Sequence, residues 1–137
     1  MNTRIDVALF LWNPDVIELL SMVLLHRNLR SCGVEPSEGA DTMENLIVSR
    51  SPNVVVFDLA PPYDRSATAV RYLLDRFPDC SFVITCADSA RAVKSAPWLS
   101  RYPIFQKPYP VEDIANKVRS MIRRAPKTVA ALSFGGR

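Results

Sequence analysis

Glycine is scarce in this chain, four residues in 137, and no glycine-rich turn stands ready to cradle a phosphate. That argues against a nucleotide site of the usual loop type. There is one histidine, His26. It has no second imidazole with which to build a metal centre or a phosphorelay carrier, and it reads as a surface residue. The three cysteines, Cys32, Cys80 and Cys86, are an odd number with no C-x-x-C spacing, which argues against a disulfide framework and against zinc. Free thiols of this kind place the chain in a reducing cytoplasm. No apolar run approaches the length of about eighteen residues that a membrane helix needs. The opening stretch "MNTRIDVALFLWNPD" carries Asp6 and lacks a small-residue cleavage site, so it is not read as a signal peptide. A formal net charge of +3 is too small to argue for direct nucleic-acid binding.

What remains is an ordinary globular composition of a size that suits one core. "DVALFL" (6–11) is a short continuous apolar run, as a strand covered on both faces would be. Asn13-Pro14 then supplies a helix cap and first turn, and the following helical period is expected to run to Gly33. "VEPSEG" predicts a weak second strand, demoted to an edge by Pro36. A second helix is expected from Asp41, with Glu44 completing a capping pattern. "NVVVFD" is the third strand, and "SATAVRYLLDRFP" a third helix, since Pro61 and Pro62 oppose an earlier start. "CSFVITCA" is the fourth strand, followed by a fourth helix that Pro97 must end. "YPIFQ" is the fifth strand. In "VEDIANKVRSMIRR" the residues Val111, Ile114, Ala115, Val118 and Ile122 share one face, the clearest amphipathic pattern in the chain. The expected organisation is one domain over 1–125, with 126–137 a flexible linker or C-terminal tail. The fold class is α/β: a doubly wound, five-stranded parallel sheet with five helices.

In such a sheet the site lies beyond the carboxyl ends of the strands, near the point where the strand order reverses. The residues at those exits are Leu11, Trp12 and Asn13, then Asp58, Thr85 and Lys107. Here the sequence resembles the receiver domain of bacterial response regulators, over roughly residues 4 to 124. "FDLAPPYD" matches the phosphoacceptor strand and loop with Asp58 at the acceptor position, "VITCA" supplies Thr85, and "FQKPY" supplies the Lys107-Pro108 pair. The resemblance implies a flavodoxin-like fold, a place in two-component signal transduction, and a Mg²⁺ held partly by an adjacent acidic pair after the first strand.

That pair falls on Leu11 and Trp12, which offer no oxygen ligand. The expectation is therefore a pseudo-receiver that binds no Mg²⁺ and no other cofactor. Asp58 stands at the acceptor position as a retained residue paired with Lys107; Thr85, Lys107 and Asn13 are remnants of the site; Leu11 and Trp12 fill its pocket. The aromatic residue that the family carries three positions before the lysine is here Ile104. The module is expected to be non-enzymatic and to act through protein contacts, with itself as a homodimer or with another protein. The surface is the face of the fourth helix, fifth strand and fifth helix, with Trp98, Leu99, Arg101, Tyr102, Lys117 and Arg119 as interface candidates and Arg123 and Arg124 beyond them. A histidine kinase is a possible partner by the same resemblance. Two other readings stay open: a receiver phosphorylated on Asp58 that regulates a DNA-binding output domain, and a small-ligand binder using the same crevice.

Overall fold

The computed structural model describes residues 3–132, with side chains described as far as Ile122. The apolar runs become the strands β1 (Val7–Phe10), β3 (Val54–Asp58) and β4 (Ser81–Cys86), joined by the shorter β2 (Ser31–Val34) and β5 (Ile104–Gln106). All neighbours pair in parallel, in the order β2-β1-β3-β4-β5. The chain moves outward from β1 to β2, then crosses to β3 on the other side, so the order reverses between β1 and β3. The crevice outside the carboxyl ends of those two strands is the position where open α/β sheets carry their sites.

The five α-helices are α1 (Pro14–Leu25), α2 (Ala40–Arg50), α3 (Tyr63–Arg76), α4 (Ser89–Ser95) and α5 (Val111–Leu132). Alternate residues of each central strand point to opposite layers. Ala8, Phe10, Val55 and Phe57 face a core that includes Met43, Ile47, Val70, Leu73 and Ala92 from α2, α3 and α4. Val7, Leu9, Val54 and Val56 face one built with Leu20, Leu24, Ile114 and Val118 from α1 and α5. Both faces are covered, so polarity does not alternate along the strands. Full burial of a side chain such as Phe10 or Phe82 contributes roughly 1.5–3 kcal/mol.

Four sequence expectations are corrected. α1 ends at Leu25 instead of running to Gly33, and Asn28 makes the turn with φ 62°, a conformation that asparagine tolerates better than most residues. Gly33 lies inside β2, where a Cβ would stand 2.6 Å from Ile17 Cγ2 and 3.0 Å from the Leu9 carbonyl oxygen. It is there for close packing of α1 on the strand, and no helix stops on it. Consequently β2 comes earlier than "VEPSEG", and Pro36 opens a 3₁₀ turn, Pro36–Glu38. α2 starts on Gly39 with no side-chain cap; Glu44 instead accepts from Arg76 Nε at 2.6 Å and from Tyr72 at 2.8 Å, both on α3. α3 begins directly after Pro62, which takes the N-cap position in an extended conformation.

Pro97 does end α4, and a second 3₁₀ turn, Pro97–Arg101, leads to β5. α5 continues as helix to Leu132, past the boundary expected at 125. Positions 133–137 of the expected tail lie outside the described residues. Among the described residues no helix is long and apolar enough to cross a membrane.

Candidate functional site

Asp58 closes β3 at the order reversal and is 3 % exposed. A carboxylate so placed needs partners, because burial of an unpaired charge is costly. The parallel register sets Thr85 of β4 directly beside it, and the Thr85 hydroxyl donates to Oδ1 at 2.9 Å. Lys107 follows β5, anchored by its backbone N–H to the Cys86 carbonyl at 2.8 Å, and its Nζ reaches Oδ2 at 2.7 Å. The Trp12 indole N–H donates to the Asp58 main-chain carbonyl at 2.9 Å. Side chains from the exits of β1, β4 and β5 thus all meet on one residue.

The two residues expected to fill a metal pocket behave differently from that expectation and from each other. Leu11 is buried, but in the α1–α5 core, because it continues the inward alternation of β1 beyond its last paired residue. Trp12 is 39 % exposed. It lies over the strand exit as a hydrogen-bond donor, and its ring is no buried plug. Asn13 is occupied as the N-cap of α1, its Oδ1 accepting from the Asp15 N–H at 2.9 Å. Mg²⁺ demands near-octahedral oxygen ligation. The residues here offer one carboxylate with both oxygens already engaged, two apolar neighbours and a capping amide. Among these side chains Asp58 is the one carboxylate ligand. Among the described residues no group of three or more His, Cys, Asp or Glu side chains gathers elsewhere.

Several contributors went unseen in the sequence. Tyr109, two positions past Lys107, folds back toward the crevice and meets Phe105 edge-on at 6.4 Å. Burial, and then the Asp58 charge, hold its phenol above the ordinary value, with the Thr85 hydroxyl working against them. Ser66 bridges the β3–α3 loop, accepting from the Ala60 N–H at 3.2 Å and donating to the Ala60 carbonyl. Buried Tyr63 accepts from the Asp88 N–H at 3.1 Å. Gln106 Oε1 accepts from both the N–H and the hydroxyl of Ser89 at 2.9 Å. The loops around Asp58 are therefore tied to one another. Cys86 is fully buried, and burial first of all pushes its thiol up, which makes it a poor nucleophile.

A second cluster lies at the other end of the sheet, beside the amino ends of β4 and β5. Trp98, Arg101, Tyr102 and Lys117 line a groove of about 580 Å³ together with Arg71 and Met121. Trp98 and Tyr102 pack edge to face at 6.2 Å, and the Arg71 guanidinium lies 5.3 Å from the indole centre. Two interface candidates are not part of it. Leu99 is fully buried, turned inward by the 3₁₀ segment into the layer of α2, α3 and α4. Arg119 points to the turn after α1, where it donates to the Arg27 carbonyl. α4 itself contributes no lining residue, so the groove runs from α3 through the 3₁₀ turn to α5. The side chains of Arg123 and Arg124 lie outside the described residues.

The sheet order and the crevice at its reversal define a doubly wound, flavodoxin-like α/β protein. No family model and no curated protein matches the sequence, but solved structures match the shape. One is a two-component transcriptional regulator AraC from Clostridium phytofermentans ISDg, at 15 % identity and TM-score 0.70, with 93 % of this chain and 98 % of that one covered. Another is described as a transiently phosphorylated switch in bacterial signal transduction, at 18 % identity and TM-score 0.71, covering 89 % and 97 %. A CheY-like protein, tadZ, from Pseudomonas aeruginosa PAO1 aligns at 12 % identity and TM-score 0.67, covering 86 % and 99 %. The fold is that of response-regulator receiver domains.

Proposed function

We propose that this chain is a receiver-type signalling module that works by protein–protein contact, without Mg²⁺-dependent phosphoryl transfer to Asp58. The observation that carries the reading is the use of Asp58: both its carboxylate oxygens and its carbonyl are engaged, and the flanking positions are Leu11 and Trp12. A phosphoryl donor is anionic, as is the acceptor carboxylate. Without a divalent ion only Lys107 offsets their repulsion. Unit charges about 4 Å apart interact by about 4 kcal/mol at an effective dielectric near 20, which corresponds to roughly a thousandfold in rate. The module is on this reading non-enzymatic and cytoplasmic.

The contact surface is the groove at Trp98, Arg101, Tyr102 and Lys117. Aromatic residues with arginine are the types enriched at interface centres, and three cations, Arg71, Arg101 and Lys117, around one carboxylate, Asp75, suit an acidic partner. Such a partner includes the acidic surface of a kinase or of an output domain.

Retention of Asp58, Thr85 and Lys107 in contact favours a second reading, a receiver phosphorylated on Asp58. Incubation with acetyl phosphate and Mg²⁺, followed by intact-mass spectrometry, separates the two. The expected result is an unchanged mass in wild type. Gain of one phosphoryl group in wild type, absent from Asp58→Asn, overturns the proposal. For the surface, Trp98→Ala with Arg101→Glu should abolish partner capture in a folded protein; unchanged capture removes the groove from consideration.

A further inference from the structure

The outer face of α1 is apolar where a surface helix is normally polar. Leu19, Met22 and Leu25 are 48 %, 57 % and 62 % exposed, while Leu20 and Leu24 of the same helix are buried in the α1–α5 core. The three exposed residues follow one another at intervals of three, so they form a continuous stripe and not isolated apolar spots. Between Pro14 and Leu25 the only charged residues are Asp15 and Glu18, both exposed and both toward the N-terminal end. Just beyond the C-terminal end stand exposed His26 and Arg30.

This distribution complements itself in one orientation. When two α1 helices lie antiparallel about a two-fold axis at Met22, Leu19 of one meets Leu25 of the other, and Met22 meets its own copy. Glu18 then faces His26, and the acidic end of each helix lies toward the turn that carries the other copy's Arg27 and Arg30. A parallel pair would set acid against acid at one end. A partner helix of a single charge sign would match one end of the stripe and oppose the other. We propose that α1 is a self-association surface whose occupant is a second copy of this chain, antiparallel and two-fold about Met22. Self-complementarity of one patch is the requirement of an isologous dimer. A contact centred on one helix per copy is small beside the ~1,200 Å² of a standard stable interface, so the dimer is weak and concentration-dependent.

Sedimentation of the full chain over a concentration series tests this. Wild type should pass from monomer to dimer in the micromolar range or above. Met22→Arg sets a cation against its own copy on the axis and should weaken the dimer at least tenfold, with an unchanged thermal melt; Val48→Arg on exposed α2 should leave it intact. Met22→Cys should form an intermolecular disulfide under mild oxidation that neither wild type nor Val48→Cys forms, and this arm decides the matter should Met22→Arg fail to fold. Absence of the Met22→Cys cross-link, or a dimer indifferent to Met22→Arg, overturns the proposal. So does a wild type that stays monomeric at several hundred micromolar, in which case the stripe serves a different protein.

Discussion

Removal of Lys107 should cost more stability than removal of the charge it pairs with. The two ends of the ion pair differ in exposure: the Asp58 side chain is 4 % exposed and the Lys107 side chain 43 %. In Lys107→Met the carboxylate keeps the Thr85 hydroxyl on Oδ1 but loses the ammonium on Oδ2. Breaking a pair buried at both ends costs about 3–5 kcal/mol, and a pair exposed at both ends contributes about 0–1 kcal/mol. With one end buried, the expected loss is about 2 kcal/mol. In Asp58→Asn the shape and the Thr85 acceptor persist, and the released ammonium turns into water along its apolar stem. That change should cost less than about 1 kcal/mol. The double variant should lie close to Asp58→Asn alone, giving a coupling of about 1–2 kcal/mol. Urea unfolding followed by far-ultraviolet circular dichroism is the assay, because Trp12 touches Asp58 and its fluorescence is not neutral. A lower midpoint with an unchanged slope is the expected signature, and at roughly 3–5 °C per kcal/mol the melt should fall by about 6–10 °C. Equal losses in the two single variants, or a neutral Lys107→Met, would refute the view that the ammonium compensates a buried carboxylate.

Gly33→Ala should destabilise by about 1–3 kcal/mol, since the new methyl meets Ile17 Cγ2 and a main-chain oxygen of β1; adding Ile17→Ala should give less than the sum of the single losses in the same unfolding assay. The Tyr109 phenol, held up in the folded state, binds its proton more tightly there than in the unfolded chain. Its contribution to stability is therefore complete below the ordinary tyrosine value and lost as pH rises through the folded value. Melts across alkaline pH should show this decline, and Tyr109→Phe should reduce it. Trp12→Asp places a carboxylate over the exit beside Asp58, and Mg²⁺ should then stabilise the protein by about 1.4 kcal/mol at ten times its dissociation constant. A folded Trp12→Asp whose melt ignores Mg²⁺ would show that more than this ligand is missing from the site.

The strands are legible in the sequence because both faces of the sheet are covered, which leaves β1, β3 and β4 as unbroken apolar runs. α5 is legible from its period. The end of α1 is not, since glycine serves two purposes: Gly33 reads as a stop, yet it answers a close approach between α1 and β2, and Asn28 carries the turn. The start of α2 is obscured in the same way, because Glu44 is drawn away by Arg76 on a different helix. Asp58, Thr85 and Lys107 are legible as strand exits once the sheet is parallel. Tyr109 and Ser66 are not, for nothing in their neighbours records that the loops bearing them fold back. The exposure of Trp12 is hidden by its size, which suggests burial, whereas its position after inward Leu11 turns it outward.

Leu11 and Trp12, at the positions where the resemblance implies an acidic pair, act in two physically separate ways. Leu11 belongs to the α1–α5 core, so a carboxylate there would stand among Val56, Ile114 and other apolar groups, at a cost of several kcal/mol if left unpaired. Trp12 works on the other side of the strand exit, and its partner is the main chain of Asp58. Asp58 is consequently held at three atoms, by a donor after β1, a donor on β4 and a donor after β5. The same strand ends are also linked through Tyr63 to Asp88 and Gln106 to Ser89. A network in which each buried acceptor already has its donor resists rearrangement, because moving any member leaves another unsatisfied. An incoming phosphoryl group would meet a carboxylate oxygen that already accepts from Thr85 or from Lys107. The same network fixes the loops relative to the sheet with no ligand bound, as the proposed packing-read surface requires.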